Sequence, residues 1–213
     1  MSSLRVLGGT DAAGRGLSIG VENGQQGAPH PGSPYLDATG LTVVPGFVDL
    51  QVNGGYGFDF THDPDSIWEV GTLLPASGVT AFCPTVITSP PDRVVAAQEA
   101  MTRRPQGYRG AEPLGLHVEG PHLSSERRGT HPADLLTPAT ESQLSTDEVR
   151  IVTLAPEVDG AIALTRRLVD DGVVVSVGHS AATASTTRKA LDAGATMGTH
   201  LFNAMPPMTA REP

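Results

Sequence analysis

The chain has 213 residues, 38% hydrophobic and only 4% aromatic, enough for one large domain with a core of Val, Leu and Ala rather than rings. A formal net charge of −9, with no run rich in Lys or Arg, argues against nucleic acid or an anionic membrane surface as partner, though a local cationic pocket for an anionic small molecule stays open. The single cysteine, Cys83, excludes an intrachain disulfide scaffold, and no run approaches the roughly 18 apolar residues of a membrane span, so a soluble cytoplasmic protein is expected.

Residues 1–42 are weakly patterned and Gly-rich; LSIGVE predicts a strand, while AAGRG and GQQGAPHPGSP predict turns and loop. This segment reads as part of a small β domain. A second domain, residues 43–213, opens with TVVPGFVDLQVNG, an apolar β-branched run ending in glycines, as a buried strand should. Residues 65–77 predict a helix with Ile67, Val70 and Leu74 on one face. VTAFCPTVI then predicts a strand, with Cys83 as a small buried hydrophobe, and PDRVVAAQEAMTRR a helix with proline near its start.

The alternation continues. LGLHVEG predicts a third strand, followed by a long loop containing SSERRGTHP. RIVTLAP is the fourth strand, and EVDGAIALTRRLVDDG a helix stopped by Gly172. VVVSVGHS is the fifth strand, ASTTRKALDA a helix capped by Thr183, and ATMGTHLFN the sixth strand. Strands separated by helices of this length predict a parallel sheet. No G-x-G-x-x-G follows the first strand, so a barrel is favoured over a dinucleotide-binding fold.

Three residues fall at corresponding places. Glu119 ends LGLHVE, His179 ends VVVSVGH and His200 ends ATMGTH. The carboxyl ends of parallel barrel strands converge on one rim, where side chains distant in sequence can meet. Two imidazoles and one carboxylate suit a single divalent metal with a position open for water: zinc first, with ferrous iron also matched to the set. For each histidine alone, a structural or solvated role is the ordinary expectation.

VVPGFVDLQVNGGYG, GLHVEGP, RRGTHP, VSVGHS and THLFNAMPP…REP, in that order, resemble the N-acetylglucosamine-6-phosphate deacetylases of the amidohydrolase superfamily. The resemblance implies a (β/α)8 TIM barrel with one metal on Glu119, His179 and His200. Gln51 and Asn53 stand where superfamily members often carry His-x-His, and amides are poor zinc ligands, so hydrogen bonding at the barrel mouth is their expected role. His131 would polarise the acetamide carbonyl and Thr130 touch the sugar, although relatives commonly have alanine there. Asn203, Ala204 and Arg211 would hold the sugar phosphate, the arginine through its planar fork. His122 replaces a usual aromatic residue, and His117 is expected to be packed or to support the ligands. Arg127-Arg128 and Asp170-Asp171 are expected to be solvated.

The implied reaction is hydrolysis of N-acetylglucosamine 6-phosphate to glucosamine 6-phosphate and acetate, using metal-activated water. A phosphosugar substrate and a homodimeric intact relative go with it. The family's general-base aspartate follows a later barrel strand and has no counterpart here. Six strands in 171 residues also fall short of the eight strands and roughly 250 residues of a whole barrel. The chain therefore reads as an incomplete barrel with uncertain activity of its own. Two other readings are a non-catalytic phosphosugar- or partner-binding protein and an amidohydrolase acting on a cyclic amide.

Overall fold

The computed structural model describes residues 3–23, 25–28 and 30–207, and the chain divides into two compact units, Met1–Gly46 and Phe47–Pro213. The first unit is a four-stranded sheet in the order β3-β2-β1-β4, formed by β1 (Ser3–Thr10), β2 (Gly16–Glu22), β3 (Gln25–Gly27) and β4 (Tyr35–Asp37). Asp11 makes the β1–β2 turn: its Oδ1 accepts from the backbone N–H groups of Ala13 and Arg15. The weak pattern of this segment predicted only β2. Strand β1 escapes such reading because alternation is blunted by Gly8 and Gly9.

The apolar run around residues 42–54 was expected as one strand and is split. Val43 N–H bonds back to Thr10 within the first unit, and Pro45, which has no N–H to donate, separates it from β5 (Phe47–Val52). A short pair, β6 (Gly54–Gly55) with β7 (Phe58–Asp59), follows. The second unit then alternates. Helix α1 (Ile67–Leu73), flanked by 3-10 turns, buries Ile67 and Val70, and the turn after it buries Leu74, completing the predicted face. Next come β8 (Val79–Ile87), α2 (Pro91–Thr102), the two-residue β9 (Glu112–Pro113) and β10 (Leu116–Glu119). They are followed by β11 (Val149–Leu154), α3 (Ala161–Asp170), β12 (Val174–Val177), α4 (Ala184–Asp192) and β13 (Met197–Gly198). Thr183 caps α4, its hydroxyl accepting from the Thr186 N–H. Among the described residues no helix is long and apolar enough to cross a membrane.

The main sheet runs β13-β12-β11-β10-β8-β5, with β9 beside β8, and every pairing in it is parallel. It is curled as six strands of a (β/α)8 barrel, together with the separate small sheet of the first unit. Its two faces differ. Leu116, Val118, Val152, Leu154, Val175 and Val177 turn towards the helices and form the core with Val70, Leu164 and Leu168. Alternation sends His117, Glu119, Thr153 and Ser176 to the other face, and all four are buried. A sheet buried on both faces normally reads as an unbroken apolar run; here His117, Glu119, Thr153 and Ser176 break the inner face, beside the apolar Ile151.

Cys83 is fully buried, and burial pushes its thiol up to about 11. His117 and His122 are buried too, and burial holds both below the usual histidine value of 6.5. Unfolded histidine takes up a proton as pH falls through 6.5, whereas these two resist it. The unfolded state then binds more protons, so stability should decline from about pH 6.5 down towards the lowered folded values and level off below them. Urea midpoints between about pH 7.5 and about pH 5 should fall accordingly, and His122→Phe should flatten the slope. An identical slope in the variant would show that His122 takes its proton as readily folded as unfolded.

Candidate metal centre

The site grows from the carboxyl ends of β10, β12 and β13. Glu119 is the last residue of β10, whereas His179 and His200 each sit two residues beyond their strands. Both histidines have left-handed backbones, with φ of 47° and 54°, a conformation that costs a non-glycine residue energy and that histidine adopts more readily than most. These sharp turns bring the rings back over the rim. In a flat sheet β10 and β13, three positions apart, would be about 14 Å apart. Here His200 Nε2 comes within 3.3 Å of Glu119 Oε1. The curl of the sheet makes that meeting possible.

Glu119 is 2% exposed. Its Oε2 accepts a hydrogen bond of 3.0 Å from Gln51 Nε2, the mouth-of-barrel role expected for that amide. Its Oε1 lies 3.2 Å from His179 Nε2, and both atoms are buried with no hydrogen-bond partner. The reason lies on the far side of the ring. His179 Nδ1 is 2.8 Å from the Arg127 carbonyl, which can only accept. The proton of a neutral ring is thereby assigned to Nδ1, leaving a lone pair on Nε2 facing a carboxylate lone pair. Two acceptors at this distance need a positive charge between them. Burial alone would lower the His179 pKa, but Glu119 and the Arg127 carbonyl outweigh it and raise the value. Burial likewise raises the Glu119 carboxyl, and His131 and His179 overcome it to hold the group well below the usual carboxylate range. A backbone carbonyl fixing the remote nitrogen of a ligand histidine is the usual support for a metal. The donor set and the orphaned pair fit one divalent cation.

His131, named through the resemblance as a site residue, is 2% exposed and belongs to the same cluster: Glu119, His131 and His179 offer ligand atoms within 4.8 Å of one another. Its Nε2 is 3.6 Å from Glu119 Oε2. The Thr88 amide N–H, which can only donate, and the Thr88 hydroxyl both converge on Nδ1, at 3.4 and 2.8 Å. Nδ1 is thus assigned as acceptor and Nε2 carries the proton. A ring in that state is a hydrogen-bond donor into the site rather than a metal ligand. His200 is the outermost of the rings, its side chain 38% exposed.

Beyond the cluster, Thr130 is exposed beside His131. Asn203 is exposed and Ala204 half-buried, the Ala204 N–H taken by Asn203 Oδ1 at 3.0 Å. Arg211 lies outside the described residues. Asp170 and Asp171 are exposed, as expected. Arg127 and Arg128, expected in a wet loop, are half-buried because their backbones and side chains brace the histidines: Arg127 O holds His179, and Arg128 Nη1 donates to His131 O at 2.8 Å. Glu157 escaped sequence reasoning. It accepts from Ser180 Oγ at 2.8 Å and from the Ala181 N–H, bracing the turn that carries His179. Its signal was available, since it is an acid three residues past the end of β11.

No protein-family model matches the chain. It is 42% identical over 195 residues to N-acetylglucosamine-6-phosphate deacetylase of Danio rerio, a match covering 84% of this chain and 47% of that protein. It is 40% identical over 192 residues to N-acetylgalactosamine-6-phosphate deacetylase of a Shewanella strain, covering 84% and 47%. Among solved structures, a mutant N-acetyl-D-glucosamine-6-phosphate deacetylase of Mycobacterium smegmatis in complex with N-acetyl-D-glucosamine-6-phosphate aligns with a TM-score of 0.80 at 37% identity. That alignment covers all of this chain and 58% of the other. The chain spans about half the length of the curated relatives it matches.

Zinc must compete with the proton that the raised His179 value favours. Its affinity should therefore decline as pH falls through that value, beginning above pH 6.5, and a flat titration between about pH 8 and about pH 6 would contradict this. His200→Gly should weaken zinc binding yet raise the stability of the metal-free protein by up to about 1 kcal/mol, because glycine accepts the left-handed turn without strain. The lost approach of the ring to Glu119 works against that gain but is partly exposed and worth less. A lower urea midpoint for the glycine variant would show that the turn is unstrained.

Proposed function

We propose that this chain, homologous to the N-acetylglucosamine-6-phosphate deacetylases over about half their length, provides the metal-binding part of an amide-hydrolysing site for a phosphorylated N-acetylamino sugar. The observation that carries this reading is the buried, unpartnered pair of Glu119 Oε1 and His179 Nε2 facing each other at the rim. Glu119, His179 and His200 hold one divalent cation, zinc first and ferrous iron second. When bound, the cation supplies Lewis acidity, acidifying water and favouring negative charge on the amide oxygen.

The remaining work falls to the chain's own groups. His131, with its proton on Nε2, donates to the acetamide carbonyl oxygen, and Thr88 keeps that proton on the correct nitrogen. Gln51 holds Glu119 Oε2, so that Oε1 is the oxygen left for the cation. Thr130 touches the sugar. Asn203 and Ala204 receive the phosphate, which takes over the Ala204 N–H now bonded to Asn203 Oδ1, and Arg211 closes on it. In the net reaction water adds to the carbonyl carbon, the C–N bond breaks, and a proton passes to the departing amine. By resemblance the carrier of that proton is an aspartate beyond the six strands present here.

Relatives acting on both N-acetylglucosamine 6-phosphate and N-acetylgalactosamine 6-phosphate lie at similar identity, so both sugars belong in the test. The zinc-loaded chain should bind either phosphosugar in preference to the unphosphorylated sugar, by calorimetry. Acetate release should be far slower than from an intact relative assayed alongside. Absence of stoichiometric zinc binding would overturn the reading, and equal turnover would place the proton carrier within these 213 residues.

A further inference from the structure

A second set of buried polar groups lies one layer beneath the ligands. His117 Nδ1 is 2.9 Å from the Leu50 carbonyl, and its Nε2 is 2.7 Å from Thr153 Oγ1. Thr153 Oγ1 is 2.8 Å from Thr199 Oγ1, which is 2.7 Å from Ser176 Oγ. His117, Thr153 and Ser176 are each no more than 1% exposed, and Thr199 is 5% exposed. The row joins β5, β10, β11, β12 and the end of β13 across the inside of the curl.

Its protons can be assigned from one end. The Leu50 carbonyl only accepts, so His117 Nδ1 carries a proton. The ring bonds a carbonyl and a hydroxyl and, among the described residues, no carboxylate. As a neutral ring it has a bare Nε2, which takes the Thr153 hydroxyl proton. Thr153 Oγ1 then accepts from Thr199, and Thr199 Oγ1 from Ser176. Every hydroxyl donates once, in one direction, and none of the four is left unmatched.

Members of the row lie one to three residues ahead of metal-site residues in the chain. Leu50 precedes Gln51, His117 stands two residues before Glu119, Ser176 three before His179, and Thr199 immediately before His200. Gly178 fits the same design: a Cβ there would come within 2.7 Å of the Thr153 side chain and 2.8 Å of Thr199 Cβ, so a side chain would wedge the row apart.

We propose that this hydrogen-bonded row is a positioning device that fixes the mutual spacing of Glu119, His179 and His200, with Thr199 as its joint. The inference rests on the metal-site reading above. Thr199 is the joint because it alone bonds two other hydroxyls and adjoins the most exposed ligand, whose strand has only two residues. Removing its hydroxyl while keeping its shape leaves the β12–β13 backbone pairing but cuts the side-chain ties to Thr153 and Ser176, and so loosens His200.

Thr199→Val and Thr199→Ser, each with 15N-labelled histidine, provide the test. In the unsubstituted protein His117 should show Nδ1 protonated and Nε2 bare, with or without metal. Thr199→Val should lower Co(II) affinity about tenfold or more, within the range seen when groups supporting metal ligands are removed. It should also alter the Co(II) absorption spectrum, and Thr199→Ser should restore both. In metal-free protein the valine variant should shift the His179 and His200 imidazole resonances. Lower stability with unchanged cobalt affinity, spectrum and imidazole resonances would reduce the row to scaffolding and overturn the proposal, as would a His117 protonated on Nε2. Failure of the unsubstituted chain to take cobalt would sink the metal reading instead, leaving the row to be judged on the metal-free resonances. If the valine variant does not fold, Ser176→Ala removes the terminal donor and is read by the same measurements.

Discussion

Two buried acceptor atoms, Glu119 Oε1 and His179 Nε2, face each other across 3.2 Å without a partner, and much of the surrounding architecture enforces that confrontation. Left alone, an unpaired carboxylate in such a place costs folding free energy, and a protein under no functional demand would be expected to bury apolar atoms there instead. Neither atom is free to turn away. Gln51 holds the other carboxylate oxygen, and the Arg127 carbonyl holds the other ring nitrogen. The site is a preformed demand for positive charge, which a proton answers weakly and a divalent cation answers with defined geometry.

The fold meets this demand through a departure from ordinary parallel sheets. Alternation on β10, β11 and β12 separates an apolar face against the helices from a polar face inside the curl. The polar face carries two layers, a hydroxyl–imidazole row and then the ligands above it. Members of the row stand one to three residues before the rim residues along the chain, so a layer that fixes one level also constrains the next. Precision at the rim is thereby set by the interior rather than by the turns, whose left-handed histidines are under strain and would otherwise relax.

Much of this was legible in the sequence. Periodicity gave the β8 bounds, the burial of Ile67, Val70 and Leu74, and the strand–helix alternation that implies a common rim for Glu119, His179 and His200. What escaped has physical reasons. His131 was named through the family resemblance alone, because it sits in a polar loop that nothing local marks as buried; its burial depends on Thr88, more than 40 residues away. The first strand of the small sheet is hidden by paired glycines. Thr153, Ser176 and Thr199 look like β-formers filling a strand, because hydroxyls that satisfy one another produce the same local pattern as hydroxyls facing water. One cue was present: His117, Thr153 and Ser176 all fall at inward positions of otherwise apolar strands, which is improbable for residues that had no partners inside.

The loops above the rim extend the same logic. Ser180, next to His179, donates its backbone N–H to the Ala204 carbonyl at 3.2 Å, while its hydroxyl donates to Glu157. Glu157 thus anchors the turn after β12, and that turn in turn steadies the loop after β13 in which Asn203 and Ala204 lie. Asn203 N–H reaches back to the His200 carbonyl, closing the circuit onto a ligand residue. On the proposed reading, an anion displacing the Asn203–Ala204 segment would be felt at His179 through Ser180 and at His200 through Asn203. The Asn203–Ala204 loop and the turns that carry His179 and His200 are thus joined by backbone hydrogen bonds, which substitutions other than proline leave in place.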